Sequence, residues 1–412
     1  MPEKGNDMNV LIGGGGYVGL SLAVALKQSD PDLEIMVVDA RAGKPAPGKG
    51  DERASAIAAS ARRLLTVLGV FDDLADQAQP IRDMIVTDSR TGDAVRPVFL
   101  SFDGEIEPGE PFAHMVPNAH LVATLQDRAE ALGVRLKAPC RITGFEETGA
   151  GMQVALSDDQ GSVNADLLVA ADGVRSGLRE QAGIRTVSWQ YRQKAIVTTL
   201  AHTEPHHGRA EEHFLPAGPL ALLPLTGNRS SLVWTENPQR ADRLIAEDEE
   251  LFLMELESRT GFHLGRFSLA GPRQAYPLGL MLVREFVRPR FALAGDAAHG
   301  IHPIAGQGLN MGFRDVAALT EVVIEARRLG LDIAGPDVLQ RYQQWRRFDT
   351  WQMGAVTDSL NRLFSNDNRL LRGIRDLGLG LVDRMPSLKS AFIREAAGIT
   401  GQTPKLMLGE PI

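Results

Sequence analysis

Three carboxylates in this chain stand at the ends of apolar runs. Asp39 closes the run from Glu34 to Val38, Asp172 follows Ala165 to Ala171 and precedes Gly173, and Asp296 follows Phe291 to Ala294 and Gly295. Short apolar runs of this kind read as buried strands, so each acid is delivered to a strand end. A second feature sits beside the first acid. Gly13-Gly-Gly-Gly-Tyr-Val-Gly19 contains Gly14-x-Gly16-x-x-Gly19, between the strand Asn9–Ile12 and an apolar helix from Leu20 to Leu26. Gly14 allows a tight turn, Gly16 lets the backbone approach a pyrophosphate, and Gly19 lets helix and strand pack closely. Asp39 is placed to accept hydrogen bonds from a ribose diol. It leaves FAD and NAD both open and argues against a 2′-phosphate.

The third acid opens a longer arrangement. After Asp296 comes a loop with Pro303 and the glycines Gly300, Gly306 and Gly308, then a helical pattern from near Leu309 through Val316, Leu319, Val323 and Ile324. A bare backbone followed by a helix N-terminus favours an anion, because free N–H groups and the positive dipole end converge there. A reduced flavin, negative at N1–C2=O, is such an anion. Arg53, at the entrance of the helix carrying Leu64, Leu65 and Leu68, reads as a phosphate contact or as a surface arginine. Asp172, taken alone, reads more simply as a helix N-cap before the short helix with Ser176 and Arg179.

The elements that position these groups do not form one continuous parallel pattern. Ile81–Asp88 and Ala94–Ser101 alternate around Thr91-Gly-Asp93, which predicts a hairpin outside the first domain. Asn118 is the expected N-cap of a helix over Leu121–Leu132, with Gly133 at its end. A second excursion from Val187 to about Arg288 is strand-rich (Ala195–Leu200, Leu220–Leu225, Ser231–Thr235), with helical patterns from Arg240 to Glu257, and suggests an antiparallel sheet with one covered face. The expectation is one interleaved body. Residues 8–80, 112–186 and 286–335 form a nucleotide-binding domain, 81–111 and 187–285 a sheet domain, and 336–412 a helical region.

Composition narrows the class. The chain has 412 residues, a net charge of −8 and 43% hydrophobic residues, which gives no general attraction to nucleic acid. Its one cysteine, Cys140, excludes an internal disulfide framework and a cysteine-rich metal site, and no metal is expected. No run approaches the roughly 20 apolar residues of a spanning helix. The polar start, Met1 to Asp7, lacks an apolar signal core, so export is not expected. A cytoplasmic location follows, with peripheral contact on the cytoplasmic membrane face left open.

In order, Gly14-x-Gly16-x-x-Gly19, Asp172-Gly173-x-x-Ser176-x-x-Arg179 and Gly295-Asp296-Ala-Ala-His resemble the class A FAD-dependent aromatic monooxygenases, the group of para-hydroxybenzoate hydroxylase. The run His302-Pro303-Ile-Ala-Gly-Gln-Gly-Leu-Asn-Met-Gly resembles the ubiquinone-biosynthesis branch, which hydroxylates polyprenylated phenols. The resemblance covers nearly the whole chain. It implies a mixed α/β (α+β) fold: a Rossmann-like FAD-binding domain interleaved with an antiparallel-sheet substrate domain, plus C-terminal helices. It places the FAD pyrophosphate on Gly14, Gly16 and Gly19, the adenosine ribose on Asp39, and FAD phosphates with NADH or NADPH near Arg53. Asn118 falls on the ribityl side, Asp172 serves FAD and NAD(P)H placement, and Gly295-Asp296 meets the ribityl hydroxyls. Pro303, Gly306, Gln307 and the backbone of Gly308, Leu309 and Asn310 border the isoalloxazine. No second Gly-x-Gly-x-x-Gly exists, which suits a class without a separate nicotinamide domain.

The implied reaction consumes NAD(P)H and O2 and hydroxylates a phenolic ring through a C4a-hydroperoxyflavin. Cofactor chemistry supplies the hard step, and the protein supplies orientation and a dry pocket. Two alternatives are a flavin-dependent reductase of prenyl substrates and a non-catalytic FAD-binding subunit of a biosynthetic complex. No catalytic base can be assigned; His299 and His302 lie in the right stretch but read first as structural, and His213 and Tyr191 are weaker candidates. From Ser359 to Glu395, Arg369, Arg372 and Arg375 crowd beside an apolar stripe that includes Leu360, Leu363 and Phe364. That arm reads as a cover on the FAD domain, or as a contact with membrane, a complex partner or a second copy in a homo-oligomer.

Overall fold

The computed structural model describes residues 7–44, 53–88, 98–103, 105–149, 151–157, 161–365, 397–398 and 401–412. β1 (Asp7–Gly13) runs through the glycine loop into α1 (Tyr17–Ser29), and β2 (Ile35–Val38) returns beside it. β3 (Ala54–Ala58) leads directly into α2 (Ala59–Val67). β4 (Gln79–Ile81), β5 (Asp83–Asp88), β6 (Val98–Asp103), β7 (Glu105–Glu107), β8 (Glu110–Pro111) and β9 (Ala113–Pro117) precede α3 (Asn118–Ala131). β10 (Arg135–Lys137), β11 (Ile142–Thr148), β12 (Gly151–Leu156) and β13 (Ser162–Ala170) bring the chain to α4 (Gly177–Gln181). β14 (Thr186–His202), β15 (Arg209–Leu215), β16 (Gly218–Leu225) and β17 (Arg229–Glu236) are followed by α5 (Pro238–Ala246) and α6 (Glu249–Thr260). Then come β18 (Phe267–Leu269), β19 (Gln274–Val283), β20 (Val287–Arg288), β21 (Phe291–Leu293), β22 (His299–Gly300), α7 (Gln307–Arg328), α8 (Pro336–Phe364) and α9 (Lys405–Leu408).

The first sheet runs β10-β2-β1-β13-β12-β11, with β21 also on β13 and β20 on β21. β10, β2, β1, β13 and β21 are parallel neighbours. Their apolar runs are continuous because helices cover the sheet: Val10, Leu11, Ile12, Leu167, Leu168 and Val169 are all fully buried. Helix α1 is apolar all round for the same reason, with every residue from Val18 to Leu26 buried. Burying a leucine or valine side chain contributes roughly 1.5–3 kcal/mol, so this helix and sheet form the main core.

The second sheet runs β22-β19-β14-β17-β16-β15-β5-β6, with β18 on β14. Leu220, Leu222, Leu232, Trp234 and Ile196 pack on one face beneath Leu244, Phe252 and Leu256 of α5 and α6. The expected antiparallel sheet is corrected in one place, since β15 and β5 are parallel. Two separate excursions supply these strands, so no hairpin dictates their relative direction. The hairpin strands β5 and β6 do pair antiparallel, while the Thr91–Asp93 turn lies outside the described residues. β22, immediately after Asp296, pairs with β19 (Leu282 with His299), so the third motif leaves the first sheet and joins the second.

Helix α8 reaches across both sheets. Tyr342 Oη donates to the Leu293 carbonyl at 2.7 Å, and Phe364 stacks on Phe214 with centroids 4.2 Å apart. Leu360 and Leu363 pack in the same cluster, so the start of the basic arm is cover for the second sheet. Its continuation, including Arg369, Arg372 and Arg375, lies outside the described residues. Among the described residues no helix is long and apolar enough to cross a membrane.

Candidate functional site

The three motifs meet. Gly14, Gly16, Asp39, Arg53, Asp172 and Asp296 line one cleft of about 580 Å³ above the C-terminal ends of β1, β2 and β13. That is where ligands sit in an open α/β sheet. Asp296 arrives from β21, which is parallel to β13.

Each glycine has its own reason. A Cβ at Gly14, where φ is +116°, would overlap the Ala171 carbonyl, and one at Gly19 would overlap the Gly14 carbonyl oxygen. These two are steric necessities of the strand–helix contact. Gly16 differs: nothing lies within 4 Å of the Cβ it lacks. It is the N-cap of α1, with no side-chain cap, so bare backbone at a helix N-terminus faces the cleft. Gly295 (φ +62°) is bare because a Cβ would meet Val18 Cγ2 at 2.8 Å.

Asp39 already has partners. Its carboxylate accepts from the Gly15 amide at 2.6 Å, the Arg41 amide at 2.7 Å and the Arg41 guanidinium at 3.2 Å. Burial pushes its pKa up, but these bonds outweigh burial and hold it below the usual range. Asp172 accepts from Ser176 Oγ and, at 3.3 Å, from the Leu178 amide. The N-cap of α4 is Ser176, whose Oγ accepts from the Arg179 amide. The simple N-cap expectation for Asp172 is therefore corrected: it braces the cap and stays exposed to the cleft. Arg179 is buried and donates to the carbonyls of Ala297 (2.9 Å) and Val174 (3.1 Å), tying the second motif to the third. Asp296 has its pKa raised by burial, with His299 and Arg53 acting in the opposite sense. Arg53 lies over the Tyr276 ring at 5.3 Å, so the cleft wall continues onto the second sheet.

Asn118 is not the N-cap of α3. The helix begins at Asn118 itself with Pro117 at the cap, because β9 runs straight into it. Its Oδ1 accepts from Ser55 Oγ at 2.7 Å, and its amide donates to the Arg53 carbonyl at 2.9 Å. It positions β3 and lies outside the residues lining the cleft. Pro303, Gly306, Gln307, Gly308, Leu309 and Asn310 also lie off that cleft, at the start of α7. Gly306 is a left-handed N-cap with no side-chain cap, and nothing lies within 4 Å of a Cβ at Gly308. The uncapped amides of such a helix are those of its first residues. Asn310 sits one step further in, and its contribution is its side chain: Oδ1 accepts from the Ala58 amide at 2.9 Å, and Nδ2 donates to the Ala56 carbonyl at 3.0 Å.

The histidines are held structurally. His299 Nε2 lies 2.6 Å from Asp315 Oδ2, which also accepts the Gly295 amide at 2.8 Å, and Arg346 Nε donates to Asp315 Oδ1 at 2.7 Å. All three side chains are buried. Burial would raise the Asp315 pKa, but His299 and Arg346 reverse this and lower it. His302 Nδ1 accepts from the Ile304 amide at 3.3 Å, so the ring proton sits on Nε2. Burial holds this histidine neutral, with a pKa of about 4. His213 is buried between Thr87 Oγ1 (2.8 Å) and Glu211 (3.2 Å). Tyr191 is packed edge-on to His302 at 5.3 Å, and burial raises its pKa. Sequence reasoning missed Arg41 and Arg175 on the cleft wall and the Asp315–Arg346 strut. The first two carry no motif, and the strut joins residues far apart in sequence.

The residues present fit an FAD: an open glycine at a helix N-terminus for pyrophosphate, arginines around it, three carboxylates for hydroxyls, and a bare helix start at Gly308. This two-sheet body with its glycine cleft is that of an FAD-dependent monooxygenase. The family model described as FAD binding domain matches residues 7–357, and the chain belongs to that family. It is 44% identical over 409 residues to the ubiquinone hydroxylase UbiL of Rhodospirillum rubrum (98% of this chain, 93% of that one). It is 33% identical over 395 residues to the 3-demethoxyubiquinol 3-hydroxylase of Escherichia coli (95% and 98%). Its fold matches the crystal structure of p-nitrophenol 4-monooxygenase PnpA from Pseudomonas putida DLL-E4, with a TM-score of 0.79, 19% identity and coverage of 96% and 99%.

Proposed function

We propose that this protein is an NAD(P)H- and O2-dependent FAD monooxygenase that hydroxylates the ring of a prenylated phenol in ubiquinone biosynthesis. The single observation that carries the reading is the convergence of Gly16, Asp39, Asp172 and Asp296 on one cleft whose wall continues through Arg53 to Tyr276. The relatives named above support the substrate class. When bound, FAD takes a hydride from NAD(P)H and activates O2.

On this reading residues 8–80, 112–186 and 286–335 hold the flavin and 81–111 and 187–285 the substrate. The bare backbone at Gly16, the uncapped start of α1, receives the pyrophosphate, while the Gly14 and Gly15 amides are held by the Val38 carbonyl and Asp39. Arg53 and Arg41 supply positive charge beside it. Asp39 accepts from the adenosine ribose and Asp296 from the ribityl chain. The first turn of α7 presents amide hydrogens to the ring's negative edge. Asn310 fixes that turn against β3, and the Asp315 strut fixes Gly295. The half-buried apolar residues Ala221, Leu223 and Val233 on the second sheet suit a greasy ring and exclude water. The stretch 366–396, rich in arginine and leucine, is assigned peripheral contact with the membrane that dissolves such a substrate.

The test is twofold. The purified protein should carry one FAD and couple NAD(P)H oxidation and O2 uptake to hydroxylation of a short-chain prenylphenol. A deletion strain should accumulate one under-hydroxylated prenylphenol; an unchanged quinone profile refutes the substrate class. Replacing Arg369, Arg372 and Arg375 by glutamate should abolish pelleting with liposomes, and equal pelleting removes the membrane assignment.

A further inference from the structure

We propose that Glu212 is the catalytic base of the ring hydroxylation: its carboxylate faces the substrate and takes the proton of the phenolic hydroxyl. This inference rests on the phenol-hydroxylase reading above.

In Arg209-Ala-Glu-Glu-His-Phe-Leu215, successive side chains point to opposite sides of the sheet. Arg209, Glu211 and His213 point to the side covered by α5 and α6, and all are satisfied there. Arg209 pairs with Asp83 at 2.7 Å, and Glu211 with His263 at 2.6 Å and His213 at 3.2 Å. Glu212 points the other way, between Ala210 and Phe214. It is 7% exposed. Among the described residues its carboxylate has no hydrogen bond and no ion pair, and burial alone raises its pKa, to about 7. Its cross-strand neighbours are Val86 on β5 and Ala221 on β16.

No other described charge is turned toward it. On α8, whose end packs against Phe214, Asp358 and Arg362 bond each other at 2.9 Å, and Asp358 also accepts from Trp189. On β9, His114 packs edge-on to Phe71 at 5.3 Å. On β19, Tyr276 bonds Gln274 and lies under Arg53.

The face that carries Glu212 leads to the flavin elements at two places. Ala210 and Leu223 pack in one cluster with Ala54 and Ala56 of β3, the strand held by Asn310 at the start of α7. Tyr276 lies under Arg53, which lines the glycine cleft. Between these points the wall is apolar and half-buried, with Val197, Ala221, Leu223 and Val233. A wall of this kind with one acceptor matches a ligand that is apolar throughout except for one acidic hydroxyl.

The step balances without a further reagent. The phenolic O–H bond breaks, the proton goes to a Glu212 oxygen, and the electron pair stays on the ring oxygen. There it enriches the ring carbon that is oxygenated. The protonated carboxyl returns its proton to water once product leaves. A base that titrates near neutrality is suited to this transfer, and a carboxyl kept buried without a partner is characteristic of functional sites.

The experiment uses the FAD-loaded enzyme with Glu212→Gln and Glu212→Asp. First, a chromophoric phenol is bound anaerobically without NAD(P)H. Wild type should show the red-shifted phenolate band above about pH 7, and Glu212→Gln should not. Second, kcat/KM for hydroxylation should fall by about 10²–10⁴-fold in Glu212→Gln and lose its limb near pH 7. Glu212→Asp should keep the limb at a reduced rate. Flavin content and the rate of flavin reduction by NAD(P)H should be unchanged in both. A Glu212→Gln enzyme that still ionises the bound phenol, or that keeps the limb even at a lower rate, overturns the assignment. A wild-type enzyme that hydroxylates no phenol fails at an earlier point and removes the parent reading together with this one.

Discussion

Gly16 and Gly19 belong to one motif yet should fail in different ways. A Cβ at Gly19 would overlap the Gly14 carbonyl oxygen and lie 3.3 Å from Ile12 Cγ2. Neither neighbour can rotate away, since one is backbone and the other is core. Overpacking of this sort costs about 1–3 kcal/mol or more, whether or not FAD is present. Gly16 has a φ of −83°, which any residue adopts, and nothing within 4 Å of the missing Cβ. Gly16→Val should therefore leave the ligand-free fold intact and place two methyl groups where the pyrophosphate approaches. Wild type at an FAD concentration of about 100 Kd gains about 2.7 kcal/mol from the ligand; Gly16→Val should gain almost none. Paired thermal melts with and without FAD, together with the flavin-to-protein absorbance ratio, separate the two variants. Gly19→Ala should melt lower in both conditions. A Gly16→Val protein that binds FAD stoichiometrically with wild-type affinity would refute the placement of the pyrophosphate.

Three further outcomes follow from buried charge. Asp315→Asn leaves Arg346 with only Asp349 (2.9 Å) and should cost about 3 kcal/mol, the lower end for breaking a buried pair. At about 2.1 cal/mol/K per residue over the 412-residue chain, that is a Tm drop of about 3 °C if the chain melts as one unit. Because Asp315 has a lowered folded pKa, its contribution is present above the unfolded value near 3.9 and is lost as pH falls through the folded one. The gap between the two melting curves should close in acid. Glu212 has the opposite sign. Its folded pKa of about 7 lies above the ordinary glutamate value of 4.5, so its stabilisation is complete below about 4.5 and is lost as pH rises through 7. Glu212→Gln should be more stable than wild type at pH 8 by up to about 3 kcal/mol, at 1.36 kcal/mol per unit; denaturant melts at pH 5 and pH 8 check this, and a variant less stable at pH 8 contradicts it. Arg53→Ala removes a cation beside Asp296 and should weaken FAD binding about 10-fold, or about 1.4 kcal/mol, as read by fluorescence titration; an unchanged Kd contradicts its place beside the flavin.

The parts of the site written in local spacing were open to sequence reasoning, and the parts made by long-range contact were not. Gly14, Gly16, Gly19 and Asp39 are fixed by one strand–helix–strand unit, so their types and intervals carry the geometry. The same holds for Asp172 and Asp296, each at a strand end. The strut of His299, Asp315 and Arg346 has no such mark: Arg346 lies 31 positions from Asp315, on a helix whose approach only the packing decides. β15 was hidden for a different reason. Two glutamates and a histidine in seven residues break the apolar alternation by which strands are read, and nothing in the order of residues shows that Glu211 is neutralised by His213 and His263 while Glu212 is left without a partner. A polar residue that contradicts its element is retained only if something compensates it, and on the open face of β15 no protein group does so among the described residues. As proposed above, that compensation is assigned to the substrate's hydroxyl, on the strand that sequence patterning hides most thoroughly.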